Sequence, residues 1–156
     1  MSTYTPEEIK AIVTAPMNVG LAVAMVDMGI ISTAIEATAI TKEIAGAAKK
    51  YPHNSIIQAA FSEAALKSTK LDKPEITPDE VKTGAFVEAA LQTASTVIAM
   101  LEGTASATEI TEYKQFIYDC GDAVANAAGS GLFGTGAKVS AEEAATLVKL
   151  KAALGL

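Results

Sequence analysis

Apolar residues recur at three- and four-residue spacing along most of this chain. No stretch alternates in the Val-, Ile- and Thr-rich manner of a strand, so the pattern predicts an all-α fold of about seven helices. Thr5-Pro6-Glu7-Glu8 opens the first, with a cap, a proline at the first helical position and acids against the positive end of the dipole. It runs to about Val13, and Thr14-Ala15-Pro16 restarts a second helix that carries Leu21, Met25 and Met28 and ends at Gly29. The third spans Thr33 to about Lys50 and stops at Tyr51-Pro52. Asn54-Ser55 opens a fourth through Ile56, Ile57, Ala60, Phe61 and Leu66; the polar stretch from Lys67 to Thr77 reads as a surface connector. Thr77-Pro78-Asp79-Glu80 is the sharpest start in the chain, and the helix it opens reaches about Glu102. A sixth runs from about Glu109 to Ala128, with Ile110, Phe116, Ile117, Cys120 and Val124 on its apolar face, and the last from Ser140 to Leu154.

Two of these hairpins echo each other. An alanine-rich helix runs into a glycine turn and restarts behind a hydroxyl residue followed three positions later by glutamate. The first copy has Gly29, then Thr33-Ala34-Ile35-Glu36; the second has Gly129, Gly131, Gly134 and Gly136, then Ser140-Ala141-Glu142-Glu143. In each restart the hydroxyl can accept from the third backbone N–H while the glutamate reaches back, which is a capping box. The expected organisation is one domain over residues 1–156, with hairpin units at 15–50 and 109–155 joined by connecting helices at 54–103.

Composition sharpens this picture. With 156 residues, half of them hydrophobic and 19% charged, the chain has enough apolar surface to offset chain entropy as one compact core. Aromatics make up 5% and Trp is missing, so the core volume falls to Ala, Ile, Val, Leu and Met, and small side chains let helix axes approach closely. A net charge of −6 is the wrong sign for neutralising phosphates, which argues against nucleic acid and leaves acidic groups as ligands for hard cations. The single cysteine, Cys120, excludes an intramolecular disulfide, and the opening Met1 to Glu8 lacks the basic-then-apolar order of a signal peptide. The expected compartment is the cytosol. Ala11 to Ile35 is long and apolar enough to ask about a membrane, but Pro16, Asn18, Asp27 and Gly29 interrupt it, and no membrane span is expected.

Four constellations bear on chemistry. Asp27 and Glu36 flank the first turn and, with a carbonyl from Gly29 or Ile31, have the makings of a calcium site; a helix-end aspartate and a capping-box glutamate account for the same residues. Gly129-Ser130-Gly131-Leu132-Phe133-Gly134 matches the dinucleotide glycine pattern in letters but follows a helix, where that fingerprint follows a strand. Asp119 and Asp122 flank Cys120, which reads as a small buried hydrophobe without a second cysteine to share a metal. His53 is the only histidine and reads as a loop residue beside a helix start; no serine occupies a nucleophile turn.

Ala24-Met25-Val26-Asp27-Met28-Gly29 with Ser32 to Glu36, and Ala123 onward to Ser140-Ala141-Glu142-Glu143, resemble the two hairpin units of the tellurite-resistance TerB-like family. The opening Thr5-Pro6-Glu7-Glu8 with Ala15-Pro16 is similar to an uncharacterised bacterial branch related to it. Met28 stands between the aspartate and glycine that the family's pattern joins, and Gly129-Ser130 stands where a second Asp-Gly is expected. The resemblance implies a helical fold of two related hairpins and a divalent-cation site, calcium or zinc, which residue by residue falls on Asp27, Glu36, Glu142 and Glu143. It also implies a role in stress physiology exerted through contacts with a protein partner; the lack of a catalytic constellation points to a non-enzymatic protein, and small-residue helix faces suit self-association as a homo-oligomer, a dimer being the expectation. The alternative is a small-molecule or lipid carrier with an apolar pocket between helices.

Overall fold

The computed structural model describes residues 3–26, 33–72, 76–129 and 139–156, the side chains at 33–36, 128 and 129 excepted. Among these residues there is no strand. The helices are α1 (Pro6–Val26), α2 (Thr33–Lys50), α3 (Ser55–Phe61), α4 (Glu63–Ser68), α5 (Pro78–Thr83), α6 (Ala85–Leu101), α7 (Ala107–Gly129) and α8 (Ala141–Leu154). The all-α class stands, while one join and two breaks turn the seven expected helices into these eight.

The join is at Pro16, where a restart was expected and α1 instead runs straight through. Proline has no N–H to give the carbonyl of Ile12, and an interior proline ordinarily breaks a helix for that reason. Here the Tyr113 hydroxyl, on α7, donates to the Ile12 carbonyl at 2.8 Å. The orphaned acceptor is satisfied by tertiary structure, so the helix continues.

The breaks are at Ser62 and Gly84. Ser62 has extended backbone (ψ 154°) and its hydroxyl accepts from the Ala65 N–H, so it stops α3 and caps α4. Gly84 is left-handed, with φ 72°, a conformation that strains any residue carrying a Cβ, and it splits the expected long helix into α5 and α6. The starts follow local chemistry more closely. Capping boxes form at Thr77 with Glu80 and at Ser140 with Glu143. Thr5 and Glu8 exchange the same pair of bonds, and so do Ser106 and Glu109, which moves the start of α7 two residues ahead of its expected place.

α1 is the central rod, packed on α7, α6, α2, α3 and α8. By length and composition it could cross a membrane, yet half of its most apolar window is buried inside the protein (50%). Ile12, Val13, Ala15, Val19 and Val23 face the main core together with Ile56, Ile57 and Phe61 of α3, Phe116, Ile117, Cys120 and Val124 of α7, and Leu150 and Leu154 of α8. Phe61 and Phe116 meet edge to face, centroids 5.0 Å apart. A smaller cluster joins Ala22 of α1 to Phe86 and Ala90 of α6, with Met25 and Ile76 packed against it.

Helix directions follow from the contacts. Tyr113 of α7 bonds Ile12 of α1, and farther along both helices a Cβ on Gly121 would lie 3.3 Å from Val23, so α1 and α7 run parallel. α8 runs back along α7: Lys151 lies over the Tyr118 ring at 5.8 Å, while Leu147 and Leu150 lie against Gly121. α2 crosses α1 where Gly20 faces Ile40, and its last residue, Lys50, lies beside Asp119 of α7. The C-terminal ends of α1 and α7 and the N-terminal end of α8 therefore share one end of the bundle.

Candidate functional site

That shared end is where the chain leaves α1 and α7 and where α8 begins, and it adjoins the positions on which the sequence placed its cation ligands. Asp27, Gly29 and Ile31 lie outside the described residues, as does the glycine run after Gly129. Glu36 is in the first turn of α2, and its side chain, like the Thr33–Glu36 capping box, also lies outside them. The remaining two expected ligands are neighbours with opposite fates. Glu142 is exposed on the first turn of α8. Glu143 is 1% exposed, and its Oε2 accepts from the Ser140 N–H at 2.9 Å while the Ser140 hydroxyl accepts from the Glu143 N–H at 3.1 Å. Consecutive residues on a helix point about 100° apart, so one carboxylate closes the helix start and the other faces out.

A cleft of about 350 Å³ opens beside this end. Ala22, Met25 and Val26 of α1 form one wall, Thr146 and Lys149 of α8 another, and the α5–α6 junction around Gly84 the third. Lys149 reaches Glu88 of α6 at 3.6 Å across its mouth. Val26 directly precedes Asp27 in the chain. Thr146 sits one turn after Glu142, whose carbonyl accepts its hydroxyl at 2.9 Å. The chain thus enters Asp27 from one cleft wall, and Glu142 lies one turn beyond the other. Of the cleft residues the sequence placed Met25 on a helix face and Glu80 in a helix start; that they share a cleft follows only from the packing of α1, α5, α6 and α8.

The other sequence candidates fall into structural roles. Asp119 accepts from the Lys50 ammonium at 2.5 Å, from Gln115 at 2.8 Å and from the Tyr51 hydroxyl at 3.4 Å. The hydrogen bond to Asp119 holds the Lys50 ammonium above its usual pKa, and burial raises the Tyr51 phenol. Burial pushes the Cys120 thiol far up, out of the range of reactive thiolates. His53 is exposed in the loop before α3. Among the described residues no three of His, Cys, Asp and Glu come together as a cation would need.

One polar hub went unseen in the sequence reading. Buried Asn54 caps α3 by accepting from the Ile57 N–H at 3.0 Å and donates to the Glu109 carbonyl at 2.9 Å and the Glu112 carboxylate at 2.8 Å. Glu109 in turn accepts from the Ser55 N–H at 2.9 Å and the Ser106 N–H at 3.0 Å, so one carboxylate closes the starts of two helices. The hydroxyl and N–H of Ser55, with those of Ser106, hold its pKa down to about 2. The spacing Ser106-x-x-Glu109 is a capping-box signal legible in the sequence; its second helix is not.

Comparison with models of known families, with curated proteins and with solved structures found no match in any of the three.

Proposed function

We propose that this protein is a non-enzymatic helical module of the TerB-like kind, working in the cytosol in stress physiology. It acts through protein contacts and through a divalent cation held at the turn end of the bundle. Asp27 and Glu36 are the primary ligands in this reading and Glu142 supplies a further carboxylate; Glu143 serves the helix start. The observation that supports it is the parallel run of α1 and α7, fixed by Tyr113 on Ile12 and by Gly121 near Val23, which sets the C-terminal ends of both helices at one end of the bundle. Hard cations take six to eight oxygen ligands from carboxylates and carbonyls, and the acids and carbonyls in the sequence after these two ends would be a source of both.

Differential scanning calorimetry with and without calcium or zinc tests the reading. A bound cation raises Tm by mass action, by about 2.7 kcal/mol of stabilisation at a hundredfold excess over Kd. The rise is expected to vanish in Asp27→Ala and to persist in Glu143→Gln. Identical melts with and without either ion remove the cation from the proposal.

A further inference from the structure

We propose that the outer flank of α2 together with α4 is a docking groove for an acidic amphipathic helix of a partner protein. This deepens the protein-contact half of the reading above and rests on it, but it involves a different surface from the turn end.

The groove has two joined stretches. Between α2 and α4 a depression of about 450 Å³ is floored by Ala45, Ala48, Phe61 and Leu66. From Ala45 it opens onto the outer face of α2 past Thr41 to Ala37, where α2 alone supplies the lining. From Ala37 to Lys49 the groove follows about 18 Å of helix, the length of three to four turns of a partner helix. α4 helps form the wall because it stands off the bundle: among the described residues it packs mainly on α3 and buries no residue of its own.

Charge selects the occupant. The chain as a whole carries −6, yet the groove is rimmed by Lys42, Lys49 and Lys67, with Glu63 the one acid among its described lining residues. Glu63 is taken up by Lys67 at 2.5 Å, while neither Lys42 nor Lys49 belongs to an ion pair among the described residues. Lys42 and Lys49 are seven residues apart, two turns along one side of the groove, so acids at the same spacing on a docked helix meet both. The walls are helices whose main chain is bonded internally, so an extended strand finds no ladder to join, whereas an alanine floor admits a second helix at close axial distance. An apolar floor with a cationic edge therefore matches a helix with an apolar stripe flanked by glutamates.

The test is fluorescence anisotropy on the full chain. The probe is a labelled designed helix of about four turns with a leucine stripe flanked by glutamates, and its counterpart has lysine at every glutamate. The acidic peptide is expected to bind and its lysine counterpart not. Lys42→Glu with Lys49→Glu should weaken binding about tenfold, added salt should weaken it too, and Ala45→Glu should abolish it. All three positions are exposed, so circular dichroism melts should stay unchanged in the variants. Asp27→Ala should leave peptide binding intact, which separates this surface from the cation. Equal binding of both peptides, no binding of either, or indifference to the lysine variants overturns the proposal. So does a self-association by sedimentation that Ala45→Glu breaks, or lysine-dependent binding to anionic phospholipid vesicles, since each assigns the groove to another occupant.

Discussion

Tyr113→Phe removes one oxygen from the protein and leaves an acceptor deep inside it without its donor. Tyr113 is 0% exposed, and burial raises the pKa of its hydroxyl well above the ordinary value, so it stays protonated and donating through the working pH range. Its partner, the Ile12 carbonyl, cannot turn to the residue four positions on, because that residue is Pro16. An unsatisfied buried polar group costs about 1–3 kcal/mol. For a chain of this length that is a fall of roughly 2–10 °C in Tm. The diagnostic quantity is the coupling to position 16. Pro16→Ala restores an N–H that can take the Ile12 carbonyl along the helix, so in that background losing the hydroxyl should cost at least about 1 kcal/mol less than in the parent. Four proteins, the parent, the two single variants and the double, unfolded in urea and followed by circular dichroism at neutral pH, give the cycle. Equal costs of Tyr113→Phe in both backgrounds, or no cost in either, would refute the account of why α1 passes through its proline.

Two further outcomes follow from the same geometry. Glu109 has a folded pKa of about 2, below its ordinary value of 4.5, so its stabilising bonds are in full force above that ordinary value and are lost as pH falls through the range down to the folded one. The stability gap between the parent and Glu109→Gln, measured by denaturant titration across that range, should shrink steadily toward acid; a gap that is constant with pH would contradict the double-cap assignment. Gly20→Ala places a methyl 2.7 Å from Ile40 Cγ1, at the crossing of α1 and α2. Overpacking of this kind costs about 1–3 kcal/mol, more than the roughly 1 kcal/mol that alanine gains over glycine in a helix. A thermal melt should therefore show net destabilisation, and a variant more stable than the parent would mean that the helices are not held at that distance.

How far the sequence could be read depended on the reach of the interactions involved. The starts behind Thr5, Thr77 and Ser140, and the end of α2 before Tyr51-Pro52, were visible because the deciding groups lie within three or four residues of each other. Ser62 and Gly84 were invisible as breaks because the apolar spacing on either side of each continues as it would in one unbroken helix, and a serine or glycine inside such a run is tolerated either way. Pro16 misled for the opposite reason: the local rule was sound, and it was overruled by Tyr113, 101 positions beyond the Ile12 carbonyl that it satisfies. Glu143 was readable as a capping acid from Ser140-x-x-Glu143 alone, whereas its neighbour Glu142 is distinguished only by which way the helix faces. The groove along α2 was beyond sequence reasoning altogether, since nothing in the spacing of Lys42 and Lys49 reveals that α4 stands beside them.

The long-range bond that corrected the helix count also bears on function. A hydroxyl on α7 that seeks the one carbonyl on α1 left open by proline can satisfy it in a single register, because shifting either helix by a turn returns the hydroxyl to carbonyls already bonded within the helix. That register sets Gly121 against Val23 and so brings the end of α1 level with the last turns of α7. The common level of the C-terminal ends of α1 and α7, which supports the cation proposal, is thus a consequence of Pro16 and Tyr113 acting as a lock between parallel helices. It follows that the double variant Pro16→Ala with Tyr113→Phe, though close to the parent in stability, loses its preference for one register. Any cation response at the turn end should weaken in that variant even though every acidic residue is still present.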